Sequence, residues 1–184
     1  KKLEPKLRFR AFTVAKLGTA EEIEKAKQIL IRALKDGETY AATWQTVKET
    51  LNGKGTLNPN YWETVFRTNT QSAYIAGKLQ KYQETNVKAF QLMVIEDSRT
   101  SPFCRSLLDK TTGYGMILPV NHQFWKTYGF PPYHFNCRTS ICPVYGSMIG
   151  KAGYNVDNPS MNSFRRSKFK PQKGFGGNPL ERGN

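Results

Sequence analysis

Apolar residues recur at helical spacing in three segments of the first half of the chain. The first segment opens with the capping-box sequence Thr19-Ala20-Glu21-Glu22 and ends at Asp36-Gly37. A second predicted helix covers residues 40–51, and the third and longest covers residues 61–83. The apolar stripes of these helices consist of Ile23, Ala26, Leu30, Ala33 and Leu34, then of Tyr40, Trp44, Val47 and Leu51, and finally of Trp62, Val65, Phe66, Ala73, Ala76 and Leu79.

Short apolar runs in the second half of the chain predict strands. Residues 89–95 form a nearly unbroken apolar run, which suits a central strand that is buried on both faces. Residues 116–118 predict a second strand, and residues 138–144 predict a third, which Pro143 confines to a sheet edge or a strand end. The remaining predicted elements are a short strand over 8–15 and short helices near 103–108 and 122–125.

This order of elements, helices first and strands later, predicts an α+β fold. We expect N-terminal helices, one of them long, to pack on a small mixed or antiparallel sheet. The predicted division is an N-terminal strand or arm over residues 1–18, one domain over residues 19–145, and an extended basic tail over residues 146–184. No apolar run approaches the roughly 18 residues that a membrane helix needs, so we expect no membrane partner.

The charge of the chain changes this picture by suggesting a partner. The 184 residues include 28 Lys and Arg against 14 Asp and Glu, a formal net charge of +14, which predicts attraction to a polyanion such as nucleic acid. In the tail over residues 146–184, basic residues alternate with phenylalanines among many Gly, Asn, Ser and Pro. Such a tail can contact phosphates and stack on bases, or it can lie over a protein surface. Its candidate binding residues are Arg165, Arg166, Lys168, Lys170 and Lys173.

Cysteine and histidine are concentrated in one part of the chain. His134 and Cys137 are three positions apart on a predicted turn, Cys142 follows five residues later, and Cys104 comes from a preceding helix. Tetrahedral zinc takes Cys and His in this mixture, so these four residues form a candidate zinc site, with His122 as a further possible ligand. The alternative is that the cysteines are small buried apolar residues and that His134 is hydrogen-bonded in a loop.

Polar residues at the end of the predicted central strand allow two interpretations. Asp97 and Arg99, together with His134, Arg138 and Thr139, resemble the acid, base and cation set of a metal-independent ribonuclease. The simpler interpretation, which we favour, is that Asp97, Arg99 and Arg138 form an ion-pair cluster that braces a loop. Asn69 lies on the apolar stripe of the long helix and needs a hydrogen-bond partner there. We therefore expect Asn69 and the nearby Arg67 to join the cluster.

Several short motifs in this sequence resemble those of one family. They are Arg10-Ala11-Phe12-Thr13-Val14-Ala15, Arg67-Thr68-Asn69-x-x-x-Ala73-Tyr74-x-x-Gly77, Asp97-Ser98-Arg99-Thr100-Ser101-Pro102, His122-x-Phe124-Trp125, and Pro131-Pro132 followed by Asn136-Cys137-Arg138. Their order and spacing over roughly residues 8–145 resemble the phage Mu F-type minor head proteins, also called head-morphogenesis proteins. The chain departs from the family pattern at Thr139, where relatives commonly have Cys, and at Cys104, where many have His.

The resemblance implies a structural, non-enzymatic protein of a tailed phage or prophage, which acts with portal and capsid proteins in head assembly and DNA packaging. It also implies DNA binding, and a location in the virion, at the capsid interior or portal vertex, and in the host cytoplasm during assembly. Two alternatives remain from the residues themselves. One is a metal-independent nuclease or toxin-type domain that uses His134, Arg138 and Asp97, and the other is a zinc-stapled DNA-binding module.

Overall fold

The structure, a computed structural model, describes residues 19–51, 58–157 and 170–179. The predicted strand over residues 8–15 and the candidate binding residues Arg165, Arg166 and Lys168 lie outside these ranges. Within them, helices pack on a three-stranded sheet, which is the α+β fold that the sequence predicts. No helix in these ranges is both long and apolar enough to cross a membrane. The elements are α1 (Ala20–Asp36), α2 (Tyr40–Thr50), α3 (Pro59–Gln83), β1 (Val87–Met93), α4 (Pro102–Arg105), β2 (Ile117–Pro119), α5 (Gln123–Thr127) and β3 (Ser140–Tyr145).

The helices begin and end where local side chains satisfy the backbone. The Thr19 hydroxyl accepts from the Glu22 amide at 3.2 Å, and the Glu22 carboxylate accepts from the Thr19 amide at 3.1 Å, which confirms the predicted capping box. Gly37 ends α1 with a φ of 68°, a left-handed conformation that glycine adopts at little cost. The long helix α3 begins two residues earlier than predicted, because the Asn58 side chain caps it and Pro59 suits the first helical position.

The sheet is antiparallel, in the order β2-β1-β3, so β1 is the central strand as predicted. Pro143 lies in the edge strand β3, which also agrees with the prediction. The strand β1 lies two residues earlier than the predicted 89–95. Its last pair is Met93 with Ser140, the first residue of β3, so the pairing stops there and Ile95 is 52% exposed.

Among the described residues, three clusters of buried apolar side chains hold these elements together. The helical cluster lies between α1, α2 and the start of α3, and it contains Trp62. The main cluster joins the second half of α3 to Phe90 and Leu92 on one face of the sheet and to the aromatic side chains of residues 124–133. On the opposite face, Ala89 packs with residues from β2 and β3. The central strand β1 is therefore buried on both faces.

Two stretches of the predicted tail pack against the domain, so the folded region continues beyond the predicted boundary at residue 145. Residues 146–157 cover the outer face of the sheet, where Met148, Tyr154 and Val156 pack on the third cluster. Residues 170–179 run beside residues 128–135 and are joined to them by backbone hydrogen bonds. Composition predicts an extended tail because the tail has few apolar side chains to bury. Residues 170–179 instead dock mainly through backbone hydrogen bonds, which composition does not reveal.

Candidate functional site

A groove of about 860 Å³ lies between the N-terminal half of α3 and two loops of the sheet. The first loop, residues 95–101, follows β1, and the second, residues 134–138, precedes β3. Because β1 and β3 are antiparallel neighbours, the end of one and the beginning of the other lie side by side. The groove is lined by Asn60, Glu63, Thr64, Arg67, Thr70, Gln71, Ile95, Arg99, Ser101, His134, Phe135, Asn136, Cys137 and Arg138.

Asp97 and Arg138 form a bidentate ion pair that joins the two loops. Arg138 Nη1 and Nη2 lie 2.7 and 2.6 Å from the two carboxylate oxygens of Asp97. The hydrogen bond from Arg138 holds the pKa of Asp97 well below its usual range, and the backbone amide of Arg99, 2.8 Å from Asp97 Oδ1, has the same effect. The hydrogen bond to Asp97 in turn raises the pKa of Arg138. The pair therefore stays charged and connects residues that are 41 positions apart in the sequence.

Further hydrogen bonds close the first loop around Asp97. The Thr100 hydroxyl donates to the Ile95 carbonyl at 2.6 Å and accepts from the Asp97 amide at 2.9 Å. Arg105 Nη2 donates to the Asp97 carbonyl at 3.0 Å. The Arg99 guanidinium lies 3.7 Å from the Asp97 carboxylate, but its side chain is 79% exposed, so solvent screens that contact. The structure thus brings Asp97, Arg99 and Arg138 together, with Arg138 as the main partner.

Arg67 and Asn69 make contacts other than those predicted. Arg67 pairs with Glu63 one helical turn earlier, at 2.6 Å between Nη2 and Oε1. The buried Asn69 side chain donates to the Val65 carbonyl at 2.7 Å, and its Oδ1 has no hydrogen-bond partner among the described residues. The expectation that both residues join the Asp97 cluster is therefore wrong. On a helix, the partner at position i−4 is closer than a loop across the groove.

Two threonines of α3, which are not predicted as site residues from the sequence, fasten the second loop to this helix. Thr68 Oγ1 accepts from the Asn136 amide at 3.2 Å, and Thr64 Oγ1 accepts from Asn136 Nδ2 at 3.1 Å. Asn136 has a φ of 56°, a left-handed conformation that asparagine tolerates better than most residues. The sequence feature that could have identified these two residues is the i, i+4 spacing of Thr64 and Thr68, which puts both hydroxyls on one helix face.

Cys104, His134 and Cys137 meet at the groove. Cys104 Sγ lies 3.3 Å from His134 Nε2 and 3.7 Å from Cys137 Sγ, and the three candidate ligand atoms are all within 4.8 Å of one another. Both cysteines are buried and are not joined in a disulfide. Three of the four predicted zinc ligands are therefore brought together from α4 and the second loop.

The fourth predicted ligand, Cys142, is not part of this group. It lies within β3 opposite Gln91, and the group of potential metal ligands found among the described residues does not include it. Cys142 is the third residue of β3, and because each strand residue advances the chain by about 3.3 Å, the strand carries Cys142 away from the loop that precedes it. His122 is also elsewhere, since it caps α5 and its Nδ1 accepts from the Phe124 amide at 3.1 Å.

Hydrogen bonds within the cluster change the pKa values of all three side chains. The pKa of Cys137 is lowered because Cys104 and then His134 donate hydrogen bonds to its sulfur. The hydrogen bond to Cys137 raises the pKa of Cys104, and burial raises it further. Hydrogen bonding to Cys137 also raises the pKa of His134. Two cysteine sulfurs and one imidazole nitrogen are a set of donors that suits zinc.

Replacing Asp97 by alanine is expected to lower the Tm by several degrees at neutral pH, because Arg138 and the loop amides lose their shared acceptor. The folded-state pKa of Asp97 lies below the ordinary value of 3.8, so the carboxylate contributes stability above about pH 4 and loses it as the pH falls through the folded-state pKa. The Tm difference between wild type and variant should therefore be full at neutral pH and shrink in acid. Thermal melts of both proteins across this pH range measure it.

Glu63→Ala is the matched control for this prediction. It removes a carboxylate that lines the same groove and pairs with Arg67, but the Arg67 side chain is 66% exposed and the pair lies within one helix. Such pairs contribute little to stability, so the Tm should hardly change. Equal melting temperatures for Asp97→Ala and wild type at neutral pH would contradict the bracing role of Asp97.

The fold and the site define a small α+β domain in which two loops of a sheet are bonded to each other and to a long helix. The chain belongs to the phage Mu protein F like family, whose model matches residues 24–142. The matched residues contain the Asp97–Arg138 pair and the Cys104, His134 and Cys137 cluster. The resemblance that the sequence motifs indicate is thereby confirmed.

Protein F of Escherichia phage Mu, which is provisionally named a capsid assembly protein, is 25% identical to this chain over 167 residues. The aligned region covers 80% of this chain and 36% of the Mu protein, so the chain spans about a third of that relative's length. No solved structure matches the chain significantly.

Proposed function

We propose that this protein is a structural component of phage or prophage head assembly, a minor capsid protein without enzymatic activity. The observation that carries this proposal is the family match over residues 24–142, which covers the helices from within α1 onward, the sheet nearly to the end of β3, and both side-chain clusters. The name of the Mu relative, a capsid assembly protein, supports the same role.

The contacts of the candidate catalytic residues support a structural role over a nuclease. An acid–base histidine needs a ring nitrogen that can reach the substrate, whereas His134 Nδ1 lies 2.8 Å from the Phe135 carbonyl and Nε2 lies 3.3 Å from Cys104 Sγ. Arg138 and Asp97 are bonded to each other, so neither charge is directed at a phosphate. Metal-independent cleavage of RNA or DNA that is lost in His134→Ala would contradict this proposal.

The proposed partners are the portal and capsid proteins and the packaged DNA, with the protein located in the virion and, during assembly, in the host cytoplasm. The net charge of +14 supports an attraction to DNA. Lys170 and Lys173 are exposed on the stretch that docks beside the second loop. Arg165, Arg166 and Lys168 precede this stretch directly, so the five basic residues form one continuous candidate for phosphate contacts.

A nonsense mutation in the gene, in the phage or prophage that carries it, tests the assembly role. We expect lysates with assembled tails but few DNA-filled heads in electron micrographs, and an infectious titre that is lower by orders of magnitude. Expression of the wild-type gene from a plasmid should restore both. A normal yield of filled heads without the protein would overturn the proposal.

Charge variants in the same complementation assay separate DNA contact from assembly. We expect Arg165→Gln, Arg166→Gln and Lys168→Gln in combination to give heads that contain less DNA, because three phosphate-binding charges are removed. The control combination removes three positive charges from exposed positions of the domain instead, through Lys35→Gln, Lys48→Gln and Lys110→Gln. Equal DNA content in the two sets of heads would contradict DNA contact by the tail and leave the assembly role standing.

A further inference from the structure

Three soft ligand atoms from two separate segments converge beside the groove. Cys104 belongs to α4, whereas His134 and Cys137 belong to the loop before β3, 30 and 33 positions further along the chain. We propose that Cys104 Sγ, Cys137 Sγ and His134 Nε2 bind one zinc ion, with a fourth coordination position that opens toward the groove.

Two of the three distances between the ligand atoms are close to those of a tetrahedral zinc site, and the third is within 4.8 Å. Zinc–sulfur bonds of about 2.3 Å at a tetrahedral angle place two sulfurs about 3.8 Å apart, and a sulfur and an imidazole nitrogen about 3.5 Å apart. The observed separations are 3.7 Å between the two Sγ atoms and 3.3 Å between Cys104 Sγ and His134 Nε2. The two cysteines are free thiols whose sulfurs lie close enough together to bind one ion.

The orientation of His134 supports a ligand role. A carbonyl oxygen only accepts hydrogen bonds, so the 2.8 Å contact with the Phe135 carbonyl requires a proton on His134 Nδ1. Metal binding would displace the proton that Nε2 shares with the Cys137 sulfur, and Nε2 is the atom that faces Cys104. Metal-binding histidines usually donate their other ring N–H to a carbonyl or carboxylate in this way, which sets the tautomer and the ring orientation.

Surrounding contacts position the ligands before any ion arrives. The Ser101 hydroxyl accepts from the Cys104 amide at 3.2 Å and begins α4. Beside the loop that carries the other two ligands, the backbone amide of Gln172 donates to the Tyr133 carbonyl at 2.8 Å. The Phe175 ring packs on the Phe135 ring, with the ring centroids 4.8 Å apart. The docked stretch 170–179 therefore supports the loop that carries His134 and Cys137.

The fourth ligand comes from outside the cluster. Cys142 lies in β3, away from the cluster, and the cluster itself offers three ligand atoms. His134 and Cys137 line the groove, while Cys104 is buried with 2% exposure. In the isolated chain, a water molecule in the groove would complete the tetrahedron. A site with three protein ligands and one exchangeable position differs from the closed four-ligand sites of zinc fingers.

Metal analysis of the purified, reduced chain tests the proposal. We expect about one zinc per chain after expression in zinc-supplemented medium, and a lower Tm after removal of the metal with EDTA, because binding to the folded state alone stabilises it. Titration of the metal-free protein with CoCl₂ should give visible bands of tetrahedral cobalt and a thiolate charge-transfer band, both saturating at one equivalent. Addition of ZnCl₂ should abolish these bands.

Single-residue variants assign the ligands. Cys137→Ser should lose the cobalt bands at one equivalent, whereas Cys142→Ser, the matched removal of a cysteine outside the cluster, should keep them. His134→Cys retains three ligands and should bind cobalt with a stronger charge-transfer band. The proposal is overturned if the reduced wild type holds no zinc and gives no cobalt bands, or if Cys142→Ser loses them. The assembly role would be unaffected.

Discussion

Replacing Trp62 with alanine is expected to lower the free energy of unfolding by about 3–5 kcal/mol. Trp62 is 2% exposed and lies among Ala26, Leu30 and Val47, so it joins α1 and α2 to the start of α3. Alanine would leave a cavity of nearly the whole indole, and the close-packed side chains around it would relax only partly to fill it. Urea denaturation followed by circular dichroism measures the change.

The control for this prediction is Tyr114→Ala. It also removes a large aromatic side chain, but Tyr114 is 71% exposed, so the free energy of unfolding should change by no more than about 0.5 kcal/mol. If the two variants are equally stable, the helical cluster does not contribute to the cooperative unfolding of this domain.

The second large effect is expected at Gly115. A Cβ at this position would overlap the Leu92 carbonyl oxygen and lie 2.6 Å from its carbonyl carbon, so the backbone of the central strand would have to move. Leu92 also donates to the Met116 carbonyl at 2.9 Å, and that bond would be strained by the same movement. Gly115→Ala should therefore lower the free energy of unfolding by about 3 kcal/mol or more.

Gly77→Ala is the same substitution at a site with space. No atom lies within 4 Å of a Cβ added at Gly77, which is in the interior of α3. Alanine is the better helix former, so this variant should be more stable than wild type by about 0.5–1 kcal/mol. Opposite signs for the two variants in urea denaturation are the expected result. A destabilisation of similar size in both would show that the close approach at Gly115 is not what requires glycine there.

Both candidate clusters connect segments that are far apart in the sequence, one through an ion pair and the other through contacts between cysteine and histidine side chains. The Asp97–Arg138 pair joins the loop after β1 to the loop before β3, and the Cys104–Cys137 contact joins α4 to that same second loop. Two of the motifs that carry the family resemblance, one around Asp97 and one around Cys137, thus meet at one place. This convergence explains how motifs that are far apart in the sequence can serve a single structural purpose.

Local signals were sufficient to predict the elements and part of the site. The capping box at Thr19, the central position of β1 and the edge position of Pro143 each follow from the chemistry of a few neighbouring residues, and the structure confirms all three. The strand that precedes Asp97 in the sequence could be recognised for the same reason. A cluster of Asp97, Arg99 and Arg138 was predicted as well, because Asp97 follows the predicted central strand and Arg138 begins the predicted last strand.

The sequence by itself therefore determined the order of the described helices and strands, the cap of α1, the α+β class and several of the residues worth testing. Only the tertiary structure decided that Cys142 stays in the sheet, that Arg67 pairs along its own helix, that Thr64 and Thr68 hold Asn136, and that residues 170–179 return to the domain. The physical reason is the range of the interactions. Caps and periodicity act within a few residues, whereas these contacts depend on how segments tens of residues apart pack against one another.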